Sequence, residues 1–280
     1  MQVAVLGATG VIGENLVPML IGRGHTVRGI VRDAAKSAAL RAAGAEVAVA
    51  DLFDRDALAR AFAGCEVVVN AASAVPRPGS GAGWDANTRI RTDGTRAVIA
   101  AASAAGVDRI VHQSVAMVHQ SAGDAWVDED SPLVPHSQTQ SAIDLESIVT
   151  GADMNWQIVR GGLFYGPGTG REAHFRAAAQ SGDLVMPGDG SDFASFVHIA
   201  DMAAAIAAIA ETDRTRRAWL AVDDRPVTWR QFLGHICALA GTALPTKSAP
   251  GYLPSFRCTN CRLRALGWQP RYPDITVAIV

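Results

Sequence analysis

Gly7-Ala8-Thr9-Gly10-Val11-Ile12-Gly13 is the stretch that decides the fold. It follows the apolar run at residues 3–6 and opens a helical pattern over residues 11–21. A strand turning through glycine into a helix aims the helix's first amides at an anion. Gly7 permits the tight turn, and Gly10 lets backbone come close to a pyrophosphate. Gly13 lets the helix pack closely on the strand. The loop therefore reads as a dinucleotide cradle, with Thr9, Val11 and Ile12 completing the cofactor-facing set.

Outward from this loop, short apolar runs alternate with helical patterns. Residues 3–6, 26–31, 46–50, 66–70 and 110–113 read as strands. Residues 11–21, 34–43, 55–62 and 94–105 read as helices between them. Further strands at 157–160 and 219–222 extend the series. This alternation predicts an α/β fold, a Rossmann-type doubly wound parallel sheet, with a smaller substrate-capping region. Residues 1–162 form the expected core, with 197–240 returning to it. Residues 163–196 and 241–280 form the expected cap. Residues 76–83, rich in Gly, Pro and Ser, read as a loop. Thr228 and Gln231 form a capping box that opens a helix stopping near Gly241.

The strand ends supply further cofactor positions. Arg32 stands 19 residues after Gly13. A guanidinium there suits a 2′-phosphate by charge and by forked geometry, and Lys36 adds a second charge. Asp33 cuts the other way, since a carboxylate turned inward would bind a free 2′-hydroxyl. Asp51 and Leu52, after the third strand, face the adenine edge. Ala71, Ala72 and Ser73, after the fourth, are small where a cofactor passes close to backbone. The expected cofactor is NADPH.

Bulk properties set limits. The 280 residues are 49% hydrophobic and 19% charged, with net charge −2. That balance gives no reason to expect nucleic acid as a partner. No apolar run approaches the roughly 20 residues of a membrane span. The N-terminus lacks a basic region before its apolar run, so a cytoplasmic protein is expected. Cys258 and Cys261 form a lone CxxC without further zinc ligands, and Cys65 and Cys237 lie in apolar patterns, so no metal is expected. The sequence leaves the oligomeric state open.

With these residues in view, the chain resembles the extended short-chain dehydrogenase/reductases, the NAD-dependent epimerase/dehydratase family, and especially its atypical members. The resemblance spans nearly the whole length. Besides the glycine loop it rests on Val31-Arg32-Asp33, Asp51-Leu52, Gly94-Thr95, Gly106-Val107-Asp108-Arg109 and Ser114. It continues through Tyr165-Gly166-Pro167-Gly168, Val197-His198-Ile199-Ala200-Asp201 and Leu266-Gly267-Trp268-Gln269-Pro270. The family's catalytic set is Asn, Ser, Tyr and Lys. By the resemblance, Ser114 fills the serine position and Arg91 stands at the asparagine. Gln138 and Ala142 stand at the tyrosine and lysine. The only lysines are Lys36 and Lys247, and the tyrosines at 165, 252 and 272 have no lysine four residues on, so no register restores the pair.

That loss has a chemical consequence. Reducing a carbonyl takes hydride at carbon and a proton at oxygen, and a general acid is worth about 10²–10⁴ in rate. The expected substrate site is Ser114, Met117, His119, Gln138, Phe164 and Tyr165, with Ser114 as hydrogen-bond donor to a carbonyl. His119 and His136 are alternative acids. Another source is the substrate, since a phenol beside a ketone can pass its own proton. The resemblance extends to simocyclinone-type angucyclinone ketoreductases, atypical enzymes of aromatic polyketide tailoring. It implies an NADPH-dependent ketoreductase of a small-molecule ketone, in antibiotic biosynthesis. A non-catalytic NADP(H)-binding regulator and a non-redox isomerase or lyase are the alternatives.

Overall fold

The computed structural model describes residues 1–76, 83–121, 123–251 and 253–280. Its strands are β1 (Gln2–Leu6), β2 (Thr26–Val31), β3 (Glu46–Val49), β4 (Val67–Asn70), β5 (Arg109–Val115), β6 (Asn155–Gly161), β7 (Leu163–Tyr165), β8 (Met186–Pro187), β9 (Phe193–Ala194), β10 (Phe196–His198), β11 (Arg217–Ala221), β12 (Val227–Thr228) and β13 (Ser248–Ala249). The main helices are α1 (Val11–Gly22), α2 (Ala38–Ala42), α3 (Arg55–Phe62), α4 (Asp85–Arg89), α5 (Thr95–Ala104), α6 (Gln140–Thr150), α7 (Arg171–Ser181), α8 (Ile199–Glu211) and α9 (Trp229–Ala240). Most of the loop expected over residues 76–83 lies outside the described residues.

Seven strands form one sheet in the order β11-β6-β5-β4-β1-β2-β3. Pairing is parallel from β1 to β2 and β4, from β2 to β3 and from β4 to β5. The chain builds outward from β1 through β2 to β3, then reverses through β4, β5 and β6. The reversal falls between β1 and β4, and in such sheets ligands bind beyond the carboxyl ends at this switch point. The glycine loop follows β1 there, and Ala71-Ala72-Ser73 follows β4. The expected Rossmann-type fold class is the observed one.

Some elements differ from the sequence reading. The helix expected over 34–43 splits into a 3-10 turn, Ala34–Ser37, and α2. The Asp33 carboxylate caps the turn by accepting from the Ala35 amide at 2.9 Å. The helix expected from 94 is preceded by α4 and a π-helical turn, Ile90–Gly94. Its polar residues give no apolar period to read. Within the expected cap, α7 lies between Gly170 and Gly182, both left-handed at φ +69° and +75°. α9 opens on the reciprocal Thr228–Gln231 box and ends at Gly241, φ +68°, as the sequence indicates.

The chain divides into two compact units. The first is Met1–Ser114, Ser141–Val159 and Ala203–Ala218. Leu6, Ile30, Leu58, Phe62, Val68, Val98 and Ile110 are among its core residues. The second is Val115–Gln140, Arg160–Met202 and Trp219–Val280. Its core gathers Tyr165, Phe196, Trp229, Phe232, Leu233 and Ile236. It is thus larger than the cap expected at 163–196 and 241–280. Residues 219–240 join it because Trp229 and Phe232 pack edge-on or tilted against Phe196, at 6.3 and 4.8 Å between ring centres.

Candidate functional site

The first unit carries the cradle. Gly7 has φ +74°, and a Cβ there would lie 2.7 Å from the Ala71 carbonyl. The turn closes through Gly10 N–H to the Gly7 carbonyl at 2.9 Å. A Cβ on Gly13 would sit 2.3 Å from that same oxygen, so only glycine lets α1 leave the turn at this angle. Gly10 differs: an added Cβ would meet only the Gly7 oxygen, at 3.3 Å. Gly10 is the N-cap of α1 and supplies no capping side chain. Thr9 and Gly10 are exposed, Val11 is half-buried, and Ile12 and Gly13 are buried. Helix amides behind an exposed glycine that brings no capping side chain fit a pyrophosphate.

The residues expected on the adenosine side follow β2, β3 and β4. Arg32 follows β2 and is exposed, as is Lys36 in the next turn. Asp33 is committed to capping Ala35. Asp51 is exposed and accepts from the Phe53 amide at 2.9 Å. Leu52 is buried, and a Cβ on Gly94 would lie 2.5 Å from its Cδ2, which accounts for that glycine. Ala71 is buried, Ala72 half-buried and Ser73 exposed.

Beneath the β4 end lies a buried polar clamp. Asn70 Nδ2 and Thr95 Oγ1 approach His112 Nε2 at 2.9 and 3.0 Å, and His112 Nδ1 approaches the Gln113 carbonyl at 3.0 Å. The carbonyl only accepts, so Nδ1 carries the proton. The Asn70 amide only donates, so Nε2 is bare. Burial, with no room for a second proton, pushes the His112 pKa down to about 4. Asn70 Oδ1 in turn accepts from the Ala72 amide at 3.2 Å and so fixes the segment after β4.

Ser114, 2% exposed, donates its hydroxyl proton to Glu146 Oε1 at 2.6 Å. A carbonyl hydrogen bond from Ser114 would need that proton released. Glu146 is itself 3% exposed on α6. Ala142, at the lysine position, is fully buried on the same helix. Arg91 is 7% exposed and donates to Ser141 Oγ at 3.1 Å. Burial lowers its pKa to about 10. Sequence reasoning missed the Glu146 contact. The signal was available: Ala142, Leu145, Glu146 and Val149 fall at helical spacing, so the carboxylate stands in an apolar stripe.

The remaining expected residues lie in the second unit. His119 is fully buried, with Nδ1 3.3 Å from the Pro132 carbonyl and Nε2 2.9 Å from Arg160. Tyr165 donates to Asp223 at 3.0 Å and to the Tyr272 carbonyl at 3.2 Å. Burial raises its pKa, and the Asp223 charge adds to this, so the phenol holds its proton. His198 stacks on Tyr272 at 3.8 Å and meets Tyr165 edge-on at 5.1 Å. Met117, Gln138 and Phe164 are half-buried, as is His136, whose Nδ1 lies 3.5 Å from the Gln138 amide nitrogen. Both histidines named as acids are thus held by neighbours in their own unit. Among the described residues no helix is long and apolar enough to cross a membrane.

The NAD(P)H-binding family model matches residues 7–213. A Streptomyces protein named 3-diazoavenalumate denitrifying reductase is 35% identical, over 98% of this chain and 97% of its own length. The 4-hydroxy-2-methyl-3-oxo-4-farnesyl-3,4-dihydroquinoline-1-oxide ketoreductase of Stigmatella aurantiaca is 34% identical, over 48% of this chain and 39% of its own. In fold, the chain is similar to the dTDP-glucose 4,6-dehydratase DesIV of Streptomyces venezuelae, solved with NAD and TYD bound. The TM-score is 0.82 at 23% identity, covering 97% of this chain and 92% of that one. The chain belongs to the NAD(P)H-binding family within the extended short-chain dehydrogenase/reductase superfamily, and is an NAD(P)-dependent oxidoreductase.

Proposed function

We propose that this protein is an NADPH-dependent reductase of a small aromatic molecule, and that its acceptor is a diazo compound that takes hydride without a proton from the protein. The observation that carries this is at Ser114. Its one proton is donated to buried Glu146 at 2.6 Å, and the resemblance places Gln138 and Ala142 where a tyrosine and a lysine would supply another. Gly7, Gly10 and Gly13 would hold the pyrophosphate, and Arg32 with Lys36 the 2′-phosphate; Asp33, engaged in its cap, does not oppose it. When bound, the dihydronicotinamide supplies hydride.

A carbonyl acceptor becomes an alkoxide and must be protonated. An arenediazonium is already cationic. Hydride at its terminal nitrogen gives a neutral diazene, which breaks to dinitrogen and arene with no proton drawn from the protein. A reductase of a diazo compound is also what the relative matching over 98% of this chain is named for. A second reading, a ketone with a neighbouring phenol as proton source, is favoured by the Stigmatella ketoreductase, which matches over 48% of the chain.

The test is NADPH oxidation with 4-carboxybenzenediazonium, measured with the dinitrogen released, beside a panel of aromatic ketones with free and methylated ortho-phenols. Gly10→Val protein is the blank for direct reaction with cofactor. Diazonium turnover with dinitrogen supports the first reading. Turnover of only the free-phenol ketones supports the second. Reduction of the methyl ethers at an equal rate places an acid on the protein and removes both.

A further inference from the structure

Arg91 is a buried cation with no counter-charge beside it among the described residues. Only 7% of it is exposed, its hydrogen bond runs to the neutral Ser141 hydroxyl, and among the described residues no carboxylate lies within ion-pair distance of it. Buried charges are ordinarily paired, because an uncompensated one is strongly destabilising. Two contacts show which way its segment faces. One turn before it, Asn87 Oδ1 accepts from the Ala74 amide at 3.0 Å, just past Ala71-Ala72-Ser73. One turn after it, Gly94 packs against Leu52. The stretch from Asn87 to Gly94 therefore lines the loops that follow β3 and β4, at the carboxyl ends of the strands. Arg91 itself sits in the π-helical turn Ile90–Gly94, an irregularity that recurs at functional sites. The Asn87 side chain is fully buried, and its Nδ2 has no hydrogen-bond partner. A buried cation and, one turn before it, a buried amide donor without an acceptor thus stand on the segment that lines these strand ends.

We infer that Arg91, with Asn87 beside it, is an oxyanion-binding site, filled by a phosphate of the cofactor or by a carboxylate on the substrate. A guanidinium donates two parallel hydrogen bonds to either. The site is read from binding, so it stands or falls apart from the identity of the hydride acceptor.

The test is calorimetry of Arg91→Met, Arg91→Lys and Asn87→Asp with NADPH, and, on protein saturated with NADPH, with 4-hydroxycinnamate and its methyl ester. Melting temperatures of the ligand-free proteins are taken alongside. Losing a charge-assisted contact should weaken one ligand by about tenfold or more. If Arg91→Met weakens NADPH, the anion is a cofactor phosphate. If it weakens the cinnamate and not the ester, the anion is a substrate carboxylate. Arg91→Lys should recover part of the loss. Asn87→Asp keeps the acceptor for Ala74 and removes both amide donors, so it should weaken the same ligand. Ligand-free Arg91→Met should melt no lower than wild type, because an unpaired buried charge has gone. Affinities changed by less than threefold for both ligands would overturn the inference. So would an Arg91→Met protein that is unfolded or melts lower than wild type, since Arg91 would then be structural.

Discussion

At residue scale, the side chains that decide the chemistry are those whose protons and charges are already engaged. Arg32 is exposed and outside any cap, whereas Asp33, its competitor for the ribose, is bound to the Ala35 amide. Arg32→Ala should therefore weaken NADPH by about tenfold or more, as for other charge-assisted contacts, and leave NADH unchanged. Calorimetry with both cofactors checks this, and equal losses would mean that Arg32 does not read the phosphate. The places of Arg32 after β2 and of the glycines between β1 and α1 were legible from their spacing along the chain. The engagement of Ser114 by Glu146 was not, because the residues are 32 apart in sequence and meet only once α6 packs. Tyr165 and His119 illustrate the same limit. Both are chemically able residues by type, and both are held inside the second unit by partners that no local pattern reveals.

At the scale of elements, the start of α1 and the β4–β5 clamp each give a prediction. Gly10 has φ −91° and ψ 171°, open to any residue, and an added Cβ would press only on the Gly7 carbonyl oxygen, at 3.3 Å, a contact that a small shift of the turn relieves. Gly10→Val should thus fold normally yet lose nucleotide binding, because the side chain stands in front of the bare amides. A retained thermal shift with NADPH would take the cofactor away from this loop. In the clamp, His112 titrates near 4 in the folded chain against 6.5 when unfolded. A depressed pKa gives stability that is complete above 6.5 and is lost as pH falls towards 4. Between pH 7 and about pH 4.5 the His112 contribution should shrink by about 2–3 kcal/mol. Glu146 raises this pKa slightly and Arg91 lowers it, and both remain in a His112→Gln variant. Glu129 and Asp223, whose pKa values burial raises, pull the other way in both proteins. Urea titrations should therefore show a smaller acid loss for His112→Gln, and matching losses would discard the clamp as a pH-sensitive element. The β4 and β5 runs were readable as apolar strands. The clamp was not, since Asn70, Thr95 and His112 look like unrelated polar residues until the sheet forms.

At the scale of the whole molecule, the glycine loop and the alternation of strands and helices made the doubly wound sheet legible, because parallel strands buried on both faces are continuous apolar runs. The second unit was legible only in part. Its short strands and α7 lack strong periodicity, and its core is assembled from aromatics far apart in sequence, such as Tyr165, Phe196 and Trp229. The sequence holds no Tyr-x-x-x-Lys pair, and the proposed chemistry is one in which hydride is accepted without a proton from the protein. The measurement that tests this most directly follows NADPH with 4-carboxybenzenediazonium in water and counts, in one reaction, the NADPH consumed, the dinitrogen released and the arene formed. Hydride delivered to nitrogen predicts one dinitrogen and one arene per NADPH consumed, at a rate above the Gly10→Val blank; the diazene N–H exchanges with water, so the hydrogen that ends on the ring need not be the cofactor's. NADPH consumed without dinitrogen, or dinitrogen released with no NADPH consumed, would contradict it.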